Sequence, residues 1–158
     1  MSLAIVPGSF DPMTMGHYDL IRRVAADYDQ VVVAVMINAQ KQYLFDLSTR
    51  LEIAKATVGE ISNVRVIADE GMLIHLFDRL GADAVCKGWR NETDFAYETE
   101  MADWNRAHNP RFVTRLYSSE GDHASLSSTQ VREYLQKGEI PADLLHPLAY
   151  SLIKMKKL

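Results

Sequence analysis

Apolar and polar positions along this chain alternate in blocks that switch between two periods. A short apolar block, Ala4–Val6, predicts a first strand, and a turn rich in glycine and proline follows it. Ile21, Val24 and Tyr28 then recur at helical spacing, which predicts a helix over His17–Tyr28. The run VVVAVMI, Val31–Ile37, is apolar throughout, as in a strand covered on both faces of a parallel sheet. Leu47–Val58 predicts a second helix with Asp46 as its N-cap. VRVIAD predicts a third strand, and Met72–Leu80 a short helix stopped by Gly81. DAVCK predicts a fourth strand. Asp94–Ala107 predicts a helix with Tyr97, Met101 and Trp104 on one stripe. RFVTRLY predicts a fifth strand, SSTQVREYLQKG a capped helix, and Ala142–Met155 a last helix.

Five strands with helices between them imply an α/β fold, a doubly wound five-stranded parallel sheet. The length of 158 residues suits one domain, 1–158, with no repeat or linker. Ligands of such sheets bind at the carboxyl ends of the strands. That rule selects the loops at 7–17, 38–45, 70–74, 87–94 and 118–129 for chemistry.

Composition narrows the function classes. The apolar fraction of 47% and charged fraction of 24% are ordinary for a soluble globular protein. A formal charge of −4 argues against a general nucleic-acid binder. Cys86 is the single cysteine, which excludes an internal disulfide or a cysteine-based zinc site and suits a reducing, cytoplasmic setting. No apolar run reaches the length of a membrane span, and the first residues lack a charged-then-apolar signal pattern.

The selected loops hold a consistent chemistry. In the first, Gly8 lets the backbone pass close to a ligand or take a positive φ. Thr14 can cap the helix that carries His17. The helix start favours an anion and disfavours an extra proton on His17, so the imidazole is either a packed residue or a neutral donor to a phosphate oxygen. Lys41 in the second loop is a flexible point charge, either solvated or facing a phosphate. Lys87 and Arg90 flank Gly88 and Trp89 after a buried strand. Arg90 pairs with Glu92 or Asp94, or turns to an anion, and Glu98 is placed to hold it. Trp89 reads as a packing residue. Ser127, Ser128 and Thr129 open a helix, as an N-cap or as a second anion site. Arg132 and Glu133 read as a solvated face. There is no Walker-type loop, no nucleophile–base pair and no Asp/Glu/His cluster with metal-ligand spacing. Phosphate holders without acid–base groups suit phosphoryl or nucleotidyl transfer, where positioning and charge stabilisation do the catalysis.

At these residues the chain resembles a known family. GSFDPMTMGH resembles the signature of the nucleotidyltransferase superfamily with its H/T-x-G-H motif. KGWRNETDFAYE and LSSTQVRE resemble two further blocks of the phosphopantetheine adenylyltransferases, and the resemblance runs over essentially the whole chain. It implies a Rossmann-like nucleotidyltransferase fold and transfer of AMP from ATP to 4′-phosphopantetheine, giving dephospho-CoA and pyrophosphate in coenzyme A synthesis. It implies catalytic roles for His17, Lys41 and Ser9. It implies ATP contacts at Ser9, Phe10, His17, Gly88, Trp89, Arg90, Glu98 and the run His123, Ala124, Ser125, Leu126, Ser127, Ser128 and Thr129. Acceptor contacts fall to Ser9, Lys41, Leu73 and Lys87. Mg²⁺ carried mainly by the ATP phosphates, coenzyme A as product-like or feedback ligand, and a homohexamer are also implied.

The sequence departs from that family at three places. Lys87 stands where arginine is usual and cannot make a planar two-pronged contact. Met15 replaces an asparagine, and His123-Ala124-Ser125 replaces a more aromatic segment. The rival readings are a nicotinate mononucleotide adenylyltransferase, a cytidylyltransferase and a nucleotide-binding regulator without catalysis. The DFAYE block and modest length disfavour the first. The missing R-T-x-G-I-S-T-T ending disfavours the second, and the retained Ser9, His17 and Lys41 disfavour the third.

Overall fold

The computed structural model describes residues 1–124 and 126–156. Its centre is a parallel sheet of β1 (Leu3–Gly8), β2 (Gln30–Met36), β3 (Val64–Asp69), β4 (Ala84–Trp89) and β5 (Thr114–Ser118), in the order β3-β2-β1-β4-β5. The linking helices are α1 (Met15–Asp27), α2 (Leu47–Val58), α3 (Leu73–Leu80) and α4 (Glu92–His108), and α5 (Ser128–Gln136) and α6 (Pro147–Lys156) follow β5.

Strand alternation builds a core on each face. Ala4, Val6, Val31, Val33 and Val35 face one layer with Ile21, Val24, Ile53, Val131 and Ile153. Leu3, Ile5, Val32 and Ala34 face the other with Ile74, Leu76, Phe77 and Phe112. The apolar run in β2 therefore feeds both cores, as its lack of polar positions predicted. The chain leaves β1 toward β3 on one side and returns to build β4 and β5 on the other. The direction reverses between β1 and β4, so the loops after these two strands open together, where such sheets bind ligands.

Local signals place most boundaries. Asp46 caps α2 by accepting the Thr49 N–H at 2.8 Å, and Gly81 ends α3 with φ of 65°. Three expectations change. Ala142–Met155 is not one helix: a 3₁₀ turn, Ala142–Leu144, is separated from α6, whose first residue is Pro147. Proline suits the first helical position and disfavours helix in the residue before it. The α4 stripe does not enter a core, for Tyr97 and Trp104 are 59% and 43% exposed and Asn105 is the buried residue of that helix. Of the two uses open to Gly8, the positive φ falls instead on Phe10, at 48°. Gly8 is needed for another reason: a Cβ there would lie 2.9 Å from the Phe10 ring.

Candidate active site

The carboxyl ends of β1 and β4 open into a cleft of about 440 Å³. Ser9, Phe10, His17, Lys41, Lys87, Gly88, Arg90, Glu98, His123, Leu126 and Ser127 to Thr129 all line it. Three sequence-derived candidates stand elsewhere. Leu73 packs with Met36 and Ile67 against the second core. Trp89 sets its ring edge on Phe95, with centroids 5.0 Å apart. Ala124 bonds its N–H to the Gly121 carbonyl, closing the 3₁₀ turn. Ser125 lies outside the described residues.

His17 is the third residue of α1. Thr14 caps that helix, accepting from the Gly16 and His17 N–H groups, and its own backbone N–H donates to His17 Nδ1 at 3.0 Å. A peptide N–H can only donate, so Nδ1 is an acceptor and Nε2 carries the ring proton. The Phe10 ring meets the imidazole edge-on, at 5.0 Å and 82°. Burial, and then the nearby Arg90 charge, push the His17 pKa down to about 4. The crowding is around the ring, while one side of this half-buried residue opens to the cleft. His17 is thus a neutral N–H donor of fixed tautomer, and its neutrality comes chiefly from burial.

The cations gather around it. Lys41 Nζ donates to Ser9 Oγ at 3.1 Å, joining the second loop to the first. Arg90 Nε donates to Asp94 at 2.9 Å, which leaves four further guanidinium N–H groups. Glu98 does not hold Arg90. Its carboxylate meets Lys87 Nζ at 2.6 Å, an ion contact outside the angles of a hydrogen bond. His123 turns toward Asp19 of α1, with Nδ1 3.0 Å from its carboxylate.

The hydroxyls at the start of α5 are mostly engaged in structure. Ser127 is the N-cap, bonded reciprocally with Gln130, and Ser128 Oγ donates to the Pro12 carbonyl at 2.8 Å. Arg132 is no solvated residue. It lines the cleft, donating to the Asp11 carbonyl and to Thr129 Oγ1, both at 2.9 Å. It stands one turn beyond Ser128 and Thr129, so helical spacing alone puts it on their face.

Two buried residues escaped sequence reasoning. Asp11 is 3% exposed, and its carboxylate accepts the Leu44 and Phe45 N–H groups at 2.7 and 2.9 Å. Arg50 is 2% exposed in α2 and donates to the Phe45 and Ser9 carbonyls. Its position was a signal, three and four residues before buried Ile53 and Ala54, where an apolar side chain is the rule.

The chain matches the family model described as cytidylyltransferase-like over residues 5–134. Among curated relatives, a phosphopantetheine adenylyltransferase of Limosilactobacillus reuteri is 37% identical, covering 100% of this chain and 94% of its own. That of Heliobacterium modesticaldum is 40% identical, over 93% and 88%. The chain belongs to the phosphopantetheine adenylyltransferase family. Solved structures bear out its fold at lower identity. A Vibrio parahaemolyticus protein described as a nicotinate-nucleotide adenylyltransferase superposes with a TM-score of 0.76 at 18% identity, over 99% of this chain and 94% of that one. A bifunctional NMN adenylyltransferase/ADP ribose pyrophosphatase of Francisella tularensis gives 0.69 at 12%, over 99% and 50%. The adenylyltransferase family is therefore set by sequence relationship, and the Rossmann-like nucleotidyltransferase architecture by both.

Proposed function

We propose that this single-domain chain transfers the adenylyl group of ATP to 4′-phosphopantetheine, giving dephospho-CoA and pyrophosphate. Relatives of that name along the full chain support the substrate pair. The observation that carries the chemistry is the neutral His17, its tautomer fixed by the Thr14 N–H, in a cleft with Lys41, Lys87, Arg90 and Arg132. The acceptor phosphate attacks the α-phosphorus in line, and the bond from phosphorus to the bridging oxygen of pyrophosphate breaks. The attacking phosphate is already anionic and needs no general base. The carboxylates lining the cleft suit this, since Asp11 takes two N–H groups, Asp94 pairs with Arg90 and Glu98 with Lys87. His17 donates to the α-phosphate, where charge gathers, as Ser9 and Lys41 hold the acceptor phosphate. Arg90 and the start of α5 hold the departing pyrophosphate. Gly88, His123, Leu126 and Ser127 to Thr129, which line the cleft, take the nucleotide side, and Lys87 the acceptor side.

Among the described residues no group of three or more His, Cys, Asp or Glu side chains could hold a metal. Mg²⁺ bound to ATP would be carried by its phosphate oxygens and water and would neutralise phosphate charge there. Among the described residues no helix is long and apolar enough to cross a membrane. With the buried free thiol of Cys86, this supports a cytoplasmic place. The exposed α4 aromatics Tyr97 and Trp104, on one face, support subunit contacts, in a homohexamer. Coenzyme A is the expected feedback ligand because it contains the product.

The test is pyrophosphate release with ATP and each acceptor in turn. 4′-Phosphopantetheine is expected to turn over and nicotinate mononucleotide to give no rate. The reverse pattern would overturn the assignment.

A further inference from the structure

We propose that Asp11 and Arg50 are positioning residues, which form a two-way clasp between the Ser9 loop and the Lys41 loop and so set the site for the acceptor phosphate. This rests on the adenylyl-transfer reading above.

Lys41 stands in the long connection between β2 and α2, exposed and outside any helix or strand. A lysine there loses substantial side-chain and backbone entropy when it is held on a phosphate. Yet its Nζ lies 3.1 Å from Ser9 Oγ, thirty-two residues away in sequence. The clasp accounts for that order. Asp11, two residues beyond Ser9, receives the N–H groups of Leu44 and Phe45 from the Lys41 loop. Arg50 works in the opposite sense, donating Nη1 to the Ser9 carbonyl at 3.0 Å and Nε to the Phe45 carbonyl at 3.2 Å. The same Nη1 lies 3.5 Å from the Met36 carbonyl, at the other end of the Lys41 loop. The guanidinium stacks 3.8 Å over the Tyr43 ring, and Tyr43 Oη accepts the Asn38 N–H.

Both charges are buried, and burying a charge is costly unless it is fully bonded. Here the bonds go to backbone groups of the two loops that carry Ser9 and Lys41. An apolar pair would fill the same space but could not fix the loops' relative position. Lysine in place of Arg50 keeps the charge and loses the planar fork that reaches two loops at once.

The test is a double-mutant cycle of Lys41→Ala with Arg50→Lys, repeated with Asp11→Asn, on full-length protein. Residues that act as a unit give non-additive losses. Lys41→Ala is expected to cost about 100-fold in kcat in the native background, the scale of one lost charge contact in the transition state. In either clasp variant it should cost less than about 5-fold, since Lys41 is already misplaced. Each clasp variant should raise the acceptor KM while leaving the ATP dissociation constant within about 3-fold. Amide exchange at Leu44 and Phe45, read without substrate, should speed up in both variants. An equal Lys41→Ala loss in all backgrounds overturns the clasp, as do unchanged exchange rates. If the unaltered protein forms no dephospho-CoA, the functional reading fails instead, and amide exchange still decides whether the clasp exists.

Discussion

At the residue scale, the proposed chemistry rests most on His17. Its Nδ1 is occupied by a peptide N–H, so the group offered to a ligand is an uncharged donor. His17→Asn keeps an acceptor near the Nδ1 position and removes the Nε2 donor. Turnover is expected to fall at least ~100-fold, the cost of one donor aimed at developing charge. ATP affinity, measured by calorimetry, should change far less; a near-normal turnover would remove His17 from its role. The same variant carries a pH signature. The His17 pKa of about 4 lies below its ordinary 6.5. Above pH 6.5 the group is neutral folded and unfolded and contributes nothing to the pH dependence. As pH falls from 6.5 toward 4, the unfolded chain takes the proton first and the folded state loses stability. The loss approaches about 3 kcal/mol by pH 4. Urea unfolding at pH 7 and pH 4.5 should show the native chain losing about 2–3 kcal/mol relative to His17→Asn. A constant difference between the two proteins would mean that the ring is not held neutral.

At the scale of elements, the site is a set of joints between strand ends and helix starts. β4 and α4 meet through Lys87 and Glu98, so the lysine that faces the cleft is already held by a carboxylate. An arginine at that position could keep Glu98 on one edge and offer a phosphate two parallel donors. Lys87→Arg is therefore expected to lower the KM for 4′-phosphopantetheine by about 3–10-fold, about one added charge-assisted bond. Steady-state kinetics with each substrate varied would check this, and an unchanged acceptor KM would place Lys87 outside the acceptor site. The pattern of the sequence predicted the elements that carry these residues. It gave the limits of α2 and β3, because a capping aspartate and a short β-branched stretch act within a few residues. It failed at α6, where Pro147 outweighed helical spacing, and at α4, where spacing marks a stripe but not what covers it.

At the scale of the whole molecule, the α4 stripe is the clearest open surface. Tyr97 and Trp104 are each more than two-fifths exposed, and Trp104 stacks on His108 with centroids 3.8 Å apart. Trp104→Glu puts a charge on that face. If the face joins subunits, light scattering should show a hexamer for the unaltered protein and smaller species for the variant. A hexamer that tolerates the charge would move the interface elsewhere. The reversal of strand order between β1 and β4 is the other whole-molecule feature, since it brings loops more than seventy residues apart into one cleft.

The sequence by itself determined the fold class, four of the five selected loops that line the cleft, the 70–74 loop standing apart, and most residues that line it. Those properties depend on periodicity, on turn residues and on motifs a few residues long. It pointed to His17 as a neutral phosphate donor, but by the helix start alone. Tertiary structure decided the cause, because desolvation depends on what surrounds the ring. It also decided the partners: Glu98 with Lys87, and Arg132 with Asp11 and Thr129. Asp11 and Arg50 show the limit most plainly. A buried charge looks like any other charge in a sequence, and its role appears only when the backbone groups it bonds are brought within about 3 Å of it.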